Sequence, residues 1–228
     1  KASRPLQHSD YAILNGFIFN LNFFKVSLML SRREISEKLA LSKSIPSLKD
    51  RSVFVLPNDV IPIMAAVLIP IVCRKGKLSI LLTKRTSHLT HHAGQVSFPG
   101  GRVAEEDKNR QMTALRETRE EIGLDLSDSD VLGRLPEYDI RTGFRVTPVV
   151  AWVDSPVIFS SDPYEVESIF EVPINHVLEL SNYTLESLSE DPVKRHFYRL
   201  RHDKYNIWGA TAGMLRNFVI ALSMHSAS

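Results

Sequence analysis

The stretch that most constrains this chain runs from Gly101 to Leu124, GRVAEEDKNRQMTALRETREEIGL, with six acidic residues between a diglycine turn and a further glycine. From Asn109 to Ile122 there is neither Pro nor Gly. Met112, Leu115, Thr118 and Ile122 recur at spacings of three and four, which predicts a helix with one buried face. Gly123 then stops it. At about 100° per residue, Glu117, Glu120 and Glu121 fall within one arc roughly opposite that stripe. Three like charges so close repel. A helix can carry them as a solvated face; alternatively, hard divalent cations, which prefer carboxylate oxygen, sit on the cluster and cancel the repulsion.

The surrounding spelling bears on that choice. Arg116-Glu117-Thr118-Arg119-Glu120-Glu121-Ile122-Gly123-Leu124 resembles the helical core of the Nudix box, the signature of the Nudix hydrolases, and Gly101 and Asp107 resemble its opening Gly and first acidic residue. The chain departs from that pattern in three places. Asp107 stands where Glu is usual, eight residues separate it from Arg116, one more than usual, and Thr118 replaces an aliphatic residue. Upstream, Leu81-Leu82-Thr83-Lys84-Arg85, then Gly94, then Phe98-Pro99-Gly100-Gly101 is similar to the extra signature of the coenzyme A pyrophosphatase branch, with Thr90 where that branch usually has Arg. Ile207-Trp208-Gly209-Ala210-Thr211-Ala212 is similar to a segment near the end of that branch.

The resemblance implies a Nudix-type α/β/α sandwich with a mixed β-sheet. It implies Mg²⁺ or Mn²⁺ held by Glu117, Glu120 and Glu121, helped by the Gly101 carbonyl and by Glu165, with Arg116 orienting the glutamates as a salt-bridge partner. For Glu165, simple charge on an edge strand is the alternative. The implied reaction is cleavage of the pyrophosphate of coenzyme A or its thioesters to 3′,5′-ADP and 4′-phosphopantetheine or its acyl form. ADP-ribose, NADH or another nucleoside diphosphate derivative is the rival substrate, and a nucleotide-binding module without activity is the rival from another class. Recognising the 3′-phosphate of coenzyme A requires a fixed cation or backbone N–H groups. Arg85, Lys84, His91 and His92 are the nearest candidates in sequence. Loop histidines remain the alternative reading of His88, His91 and His92, which lack the Cys or helical spacing of a zinc site.

With 228 residues, 43% of them hydrophobic, the chain suits one domain with an appendage. Residues 1–50 read as that appendage, with a helix at Ser31 to Leu41 whose Ser31 and Glu34 form a capping box; residues 51–228 read as the Nudix domain. Twenty-eight basic against 26 acidic residues give +2, without the basic footprint of a nucleic-acid binder. The single Cys73 excludes an internal disulfide and fits a reducing compartment, so a cytoplasmic protein is expected. Tyr11 to Leu30 is apolar but broken by three Asn and a Lys, a poor membrane span without a cleavage site after it. It reads as a packed or homodimer-contacting element, a membrane contact, or a tail, with Met29 as a natural start.

Strands are expected at Met64 to Val72, Leu78 to Lys84, Val96 to Phe98, Val131 to Tyr138, Val146 to Val153 and Ser168 to Val172. A short helix near Ile174 to Leu180 follows, then a hairpin of His196 to Leu200 with Tyr205 to Trp208. A final helix over Thr211 to Ser223 turns Leu215, Phe218, Val219 and Leu222 inward.

Overall fold

The structure, a computed structural model, describes residues 11–14, 17–20, 30–42, 54–88, 93–190 and 193–223. In chain order the elements are β1 (Tyr11–Leu14), β2 (Phe17–Asn20), α1 (Arg32–Ser42), β3 (Ile63–Arg74), β4 (Lys77–Arg85), β5 (Val96–Ser97) and β6 (Gly100–Arg102). There follow α2 (Arg110–Ile122), β7 (Val131–Arg134), β8 (Tyr138–Asp139), β9 (Phe144–Asp154), β10 (Val166–Pro173), α3 (Ile174–Leu178), β11 (Tyr183–Glu190), β12 (Val193–His202), β13 (Tyr205–Trp208) and α4 (Gly209–Ser223).

The central sheet has the order β10-β4-β3-β9-β7, with β5 added to β4, β6 to β3 and β8 to β9. Only β3 and β9 run parallel, from Ile63 opposite Phe144 to Cys73 opposite Asp154, so the sheet is mixed. Both strands are apolar nearly throughout, as strands covered on two faces must be. Period-two alternation divides the core. Ile69, Ile71, Ile80, Leu82, Val150 and Trp152 join Phe218 and Leu222 of α4 and Ile35 and Leu39 of α1. Leu68, Val72, Leu81, Val149, Ala151 and Val153 face the side of Ala114 and Ile122 of α2. Helices on both faces of one mixed sheet make the expected α/β/α sandwich. A second sheet, β11-β12-β13, extends the layer of α4.

Differences from the sequence reading have local causes. The strand expected from Val131 to Tyr138 splits into β7 and β8 around Pro136, which has no N–H to give a ladder. Gly100 and Gly101, where a turn is expected, also pair with Val67 and Ala66. The closing hairpin gains a third strand, β11, whose Leu185 is exposed. On α2 the buried set is Thr113, Ala114, Thr118, Glu121 and Ile122, whereas Met112, expected inside, is 37% exposed. The capping box of α1 is present: Ser31 N–H donates to Glu34 Oε2 at 2.8 Å and Glu34 N–H to Ser31 Oγ at 3.2 Å. Although α1 lies within residues 1–50, Ile35 and Leu39 are buried in the same core as the sheet. β1 and β2 pair only with one another among the described strands. No helix among the described residues is long and apolar enough to cross a membrane.

Candidate active site

The helix α2 is fixed at both ends. Asn109, extended at φ −162°, accepts the Met112 N–H on its side chain at 3.0 Å. Gly123 turns left-handed at φ 68° and donates its N–H to the Arg119 carbonyl at 2.9 Å. Beyond it, the Ser160 and Asp162 N–H groups donate to the carbonyls of Ile122 and Glu121 at 2.9 and 2.8 Å. The loop before β10 is thus tied to the helix end, which brings Glu165 beside the helical glutamates.

Arg116 is the hub of the cluster. Its Nε and Nη2 donate to the two oxygens of Asp107 at 3.0 and 2.9 Å, a bidentate grip on a carboxylate 3% exposed. Its Nη1 lies 2.9 Å from Glu117 Oε1 and 3.0 Å from Glu120 Oε2. Asp107 also accepts the Ala104 N–H at 2.9 Å, and its carboxyl is held well below the usual range, chiefly by the Arg116 hydrogen bonds. Asp107 therefore stands behind the arginine, at the end of a turn in which its own N–H reaches the Ala104 carbonyl.

Glu121 does not lie on a solvated arc as the helical wheel suggested. It is 6% exposed, because the strand end at Gly100 and the loop before β10 cover it. It accepts the Gly100 N–H at 3.2 Å and stands 3.6 Å from Arg85 Nη1; Arg85 Nη2 stands 3.7 Å from Glu165 Oε2. Burial pushes the Glu121 carboxyl up to about 8, against the pull of the Gly100 N–H and Arg85, with Glu165 and Glu117 adding repulsion. Burial also raises Glu117, with Arg116 opposing and Glu120 and Glu165 contributing repulsion. In the sequence Gly100 belongs to the Phe98–Gly101 stretch of the upstream signature and to its turn, neither of which signals that its N–H donates to a carboxylate.

Gly101 completes the wall. A Cβ at this position would overlap the Glu117 carboxylate, so the missing side chain is what lets the backbone lie against it. At Gly100, φ 149° and the nearness of the Ala66 and Val67 backbone also require Gly.

A family model for the NUDIX domain matches residues 62–200. The chain belongs to the Nudix family. It is 42% identical over 152 residues to the uncharacterized Nudix hydrolase NudL of Yersinia enterocolitica, covering 67% of this chain and 77% of that protein. It is 38% identical over 160 residues to NudL of Yersinia pestis, covering 70% and 80%. Among solved structures, a C. elegans Ap4A hydrolase binary complex is similar with a TM-score of 0.45 and 16% identity, over 70% of this chain and 97% of that one.

Nudix hydrolases generally use divalent metal ions. Among the described residues no three His, Cys, Asp or Glu side chains stand as a ready-made ligand set, and the glutamates rest on Arg116 and Arg85 instead. The donor chemistry nonetheless fits a hard cation: carboxylates that repel one another, two of them raised by burial, beside a backbone left open by Gly101.

The other expected residues fall elsewhere. Lys84, one residue before Arg85, points to the opposite face of β4 and pairs with Glu167 at 2.6 Å. His88 rests its ring 4.7 Å from that of Tyr164. His91 and His92 lie outside the described residues.

Proposed function

We propose that this Nudix hydrolase cleaves the pyrophosphate of coenzyme A or its thioesters, with Mg²⁺ or Mn²⁺ held by Glu117, Glu120, Glu121, Glu165 and the Gly101 carbonyl. The observation that carries this reading is the meeting of the two sequence signatures on one site. Arg85, the last residue of Leu81–Arg85, places its two Nη atoms 3.6 Å from Glu121 and 3.7 Å from Glu165. The upstream signature that marks the coenzyme A branch by resemblance thus contributes a cation directly to the carboxylates of the box. Ion-paired there, Arg85 belongs to the diphosphate rather than to a distant 3′-phosphate.

Hydrolysis adds water to one phosphorus and breaks its bond to the bridging oxygen, which leaves with the other phosphate. Divalent ions bound to the carboxylates would neutralise the phosphates, acidify the water and hold the reacting oxygens in line. The chain's own residues supply the rest. Asp107 fixes Arg116, and Arg116 fixes the carboxylates of Glu117 and Glu120. Arg85 offers two N–H donors to the non-bridging oxygens. A carboxylate of the cluster takes the proton of the attacking water. The Gly100 N–H holds Glu121 by one oxygen.

The test is a substrate comparison with Mn²⁺ or Mg²⁺ and chromatographic identification of products. The expected result is 3′,5′-ADP with 4′-phosphopantetheine from coenzyme A; faster cleavage of ADP-ribose or NADH would overturn the substrate, and no turnover of any diphosphate would overturn the activity.

A further inference from the structure

Across β4 from the glutamates lies a cavity of about 250 Å³, lined by Lys84 and Glu167 on one side and by Lys204, Tyr205 and Trp208 on the other. Alternation along β4 puts Arg85 and Lys84 on opposite faces, and each meets a glutamate there, Glu165 at 3.7 Å and Glu167 at 2.6 Å, with the β-bulge between Val166 and Ser168 separating the two. The cavity and the carboxylate cluster therefore stand back to back at one end of the β4–β10 pair. Lys84 beside the cavity and Arg85 beside the glutamates are adjacent in the chain.

The cavity has two aromatic walls. The Tyr205 ring stacks on Phe170 with centroids 3.5 Å apart and planes 2° apart, which fixes it in place. Trp208, half-buried, is met edge-on by Phe197 at 5.5 Å. Lys84 is neutralised by Glu167 at 2.6 Å. Lys204, by contrast, makes no ion pair among the described residues and stands 5.4 Å from the centre of the Tyr205 ring. A fixed Tyr205 ring, one face of which Phe170 covers, and Trp208, beside an ammonium with no ion pair among the described residues, suit a flat heterocycle that carries a nearby anion. Sites that enclose a whole drug-sized ligand usually run to about 300–1,000 Å³, so this one takes only an end of a longer molecule.

We propose that this cavity takes the phosphorylated nucleoside end of the substrate, with the base against Tyr205 and Trp208 and the sugar phosphate on Lys204. The inference rests on the coenzyme A reading above, since that substrate has such an end. The pantetheine arm has neither a ring nor a charge and would leave all three side chains unused. Tyr205 and Trp208 sit on β13 and Lys204 just before it, and all three line the cavity.

Adenosine 3′,5′-bisphosphate, which lacks the scissile diphosphate, is the probe. The chain has two tryptophans, and Trp152 is buried in the core, so quenching by a bound ligand reports chiefly on Trp208. Saturable quenching in the wild type and its loss in Trp208→Phe are expected. Lys204→Met should raise the Kd of the bisphosphate ~10- to 150-fold, as loss of a charge-assisted contact does, and should scarcely change the Kd of 5′-AMP. Equal quenching in wild type and Trp208→Phe, or an unchanged bisphosphate Kd in Lys204→Met, overturns the assignment. If the wild type cleaves coenzyme A but Lys204→Met keeps the wild-type KM for it, the cavity assignment fails and the substrate reading stands. If Lys204→Met loses the preference for the bisphosphate over 5′-AMP but the wild type does not cleave coenzyme A, the cavity assignment stands and the substrate reading fails.

Discussion

Replacing Asp107 by Asn tests whether Arg116 positions the glutamates because it is itself held. The wild-type carboxylate accepts Arg116 Nε and Nη2 at 3.0 and 2.9 Å, shielded from solvent. An amide keeps one oxygen for one of these N–H groups, and its NH₂ then faces the other. One charge-assisted hydrogen bond is lost and a guanidinium donor is left facing a donor, a cost of about 1.5–3 kcal/mol. At about 2–4 °C per kcal/mol for a chain of this size, Tm should fall by ~3–12 °C at pH 7. The catalytic loss should appear in kcat, by ~10-fold or more, with KM little changed, because Glu117 and Glu120 lose the fixed orientation that Arg116 gives them. The pH dependence has a definite sign. The folded Asp107 carboxyl titrates well below its unfolded value, so its stabilisation is complete above about pH 4 and is lost as pH falls through the folded pKa. The gap in Tm between wild type and Asp107→Asn should therefore be constant near neutrality and shrink below about pH 4. Thermal melts from pH 7 to pH 3, with steady-state kinetics at pH 7, check both parts. An unchanged Tm and kcat, or a gap that widens in acid, would refute the reasoning.

The two adjacent glycines should respond differently to Ala. Gly101→Ala pushes its Cβ into the Glu117 carboxylate, the free end of a flexible side chain, so Tm should move by only a few degrees while kcat drops ~10-fold or more. Gly100→Ala meets the Ala66 and Val67 backbone at a left-handed φ, so it should be destabilised by more than the ~1–3 kcal/mol of a strained φ alone, as urea unfolding would show. A chain starting at Met29 keeps α1 and should retain kcat, whereas Leu39→Ala, in the core of α1, should cost about 2–5 kcal/mol in the same unfolding assay. An inactive but folded truncation would assign residues 1–28 to the site or to a required dimer.

What was legible in the sequence was local. Asn109, Gly123 and the uninterrupted run between them specify α2 and its ends, and the capping box of Ser31 and Glu34 specifies α1, because caps are interactions between near neighbours. The spelling from Arg116 to Leu124 located the glutamates and the arginine that the structure brings together. Burial of Glu121 was not legible. It follows from Gly100 and from residues 160–162, which reach the helix end only through the fold. The sequence placed Arg85 and Lys84 side by side, and the pleat of β4 separates them onto opposite faces, a consequence that period-two alternation alone would have supplied. Neither the β4–β13 cavity nor the strand Tyr183–Glu190 left a strong pattern, since both depend on strands from distant parts of the chain meeting. The grip of Asp107 on Arg116 depends on the turn at Ala104, which a longer spacing in the box permits but does not specify.

Titration of the full chain with Mn²⁺, followed by the electron paramagnetic resonance signal of the free ion, tests most directly that the box carboxylates form the metal site. The predicted result is tight binding by the wild type, with Glu120→Gln and Glu121→Gln both folded, both weakened at least ~10-fold in Mn²⁺ affinity and both without measurable diphosphate hydrolysis, as loss of a ligand charge requires. Wild-type Mn²⁺ affinity and turnover in a folded Glu121→Gln protein would contradict the assignment.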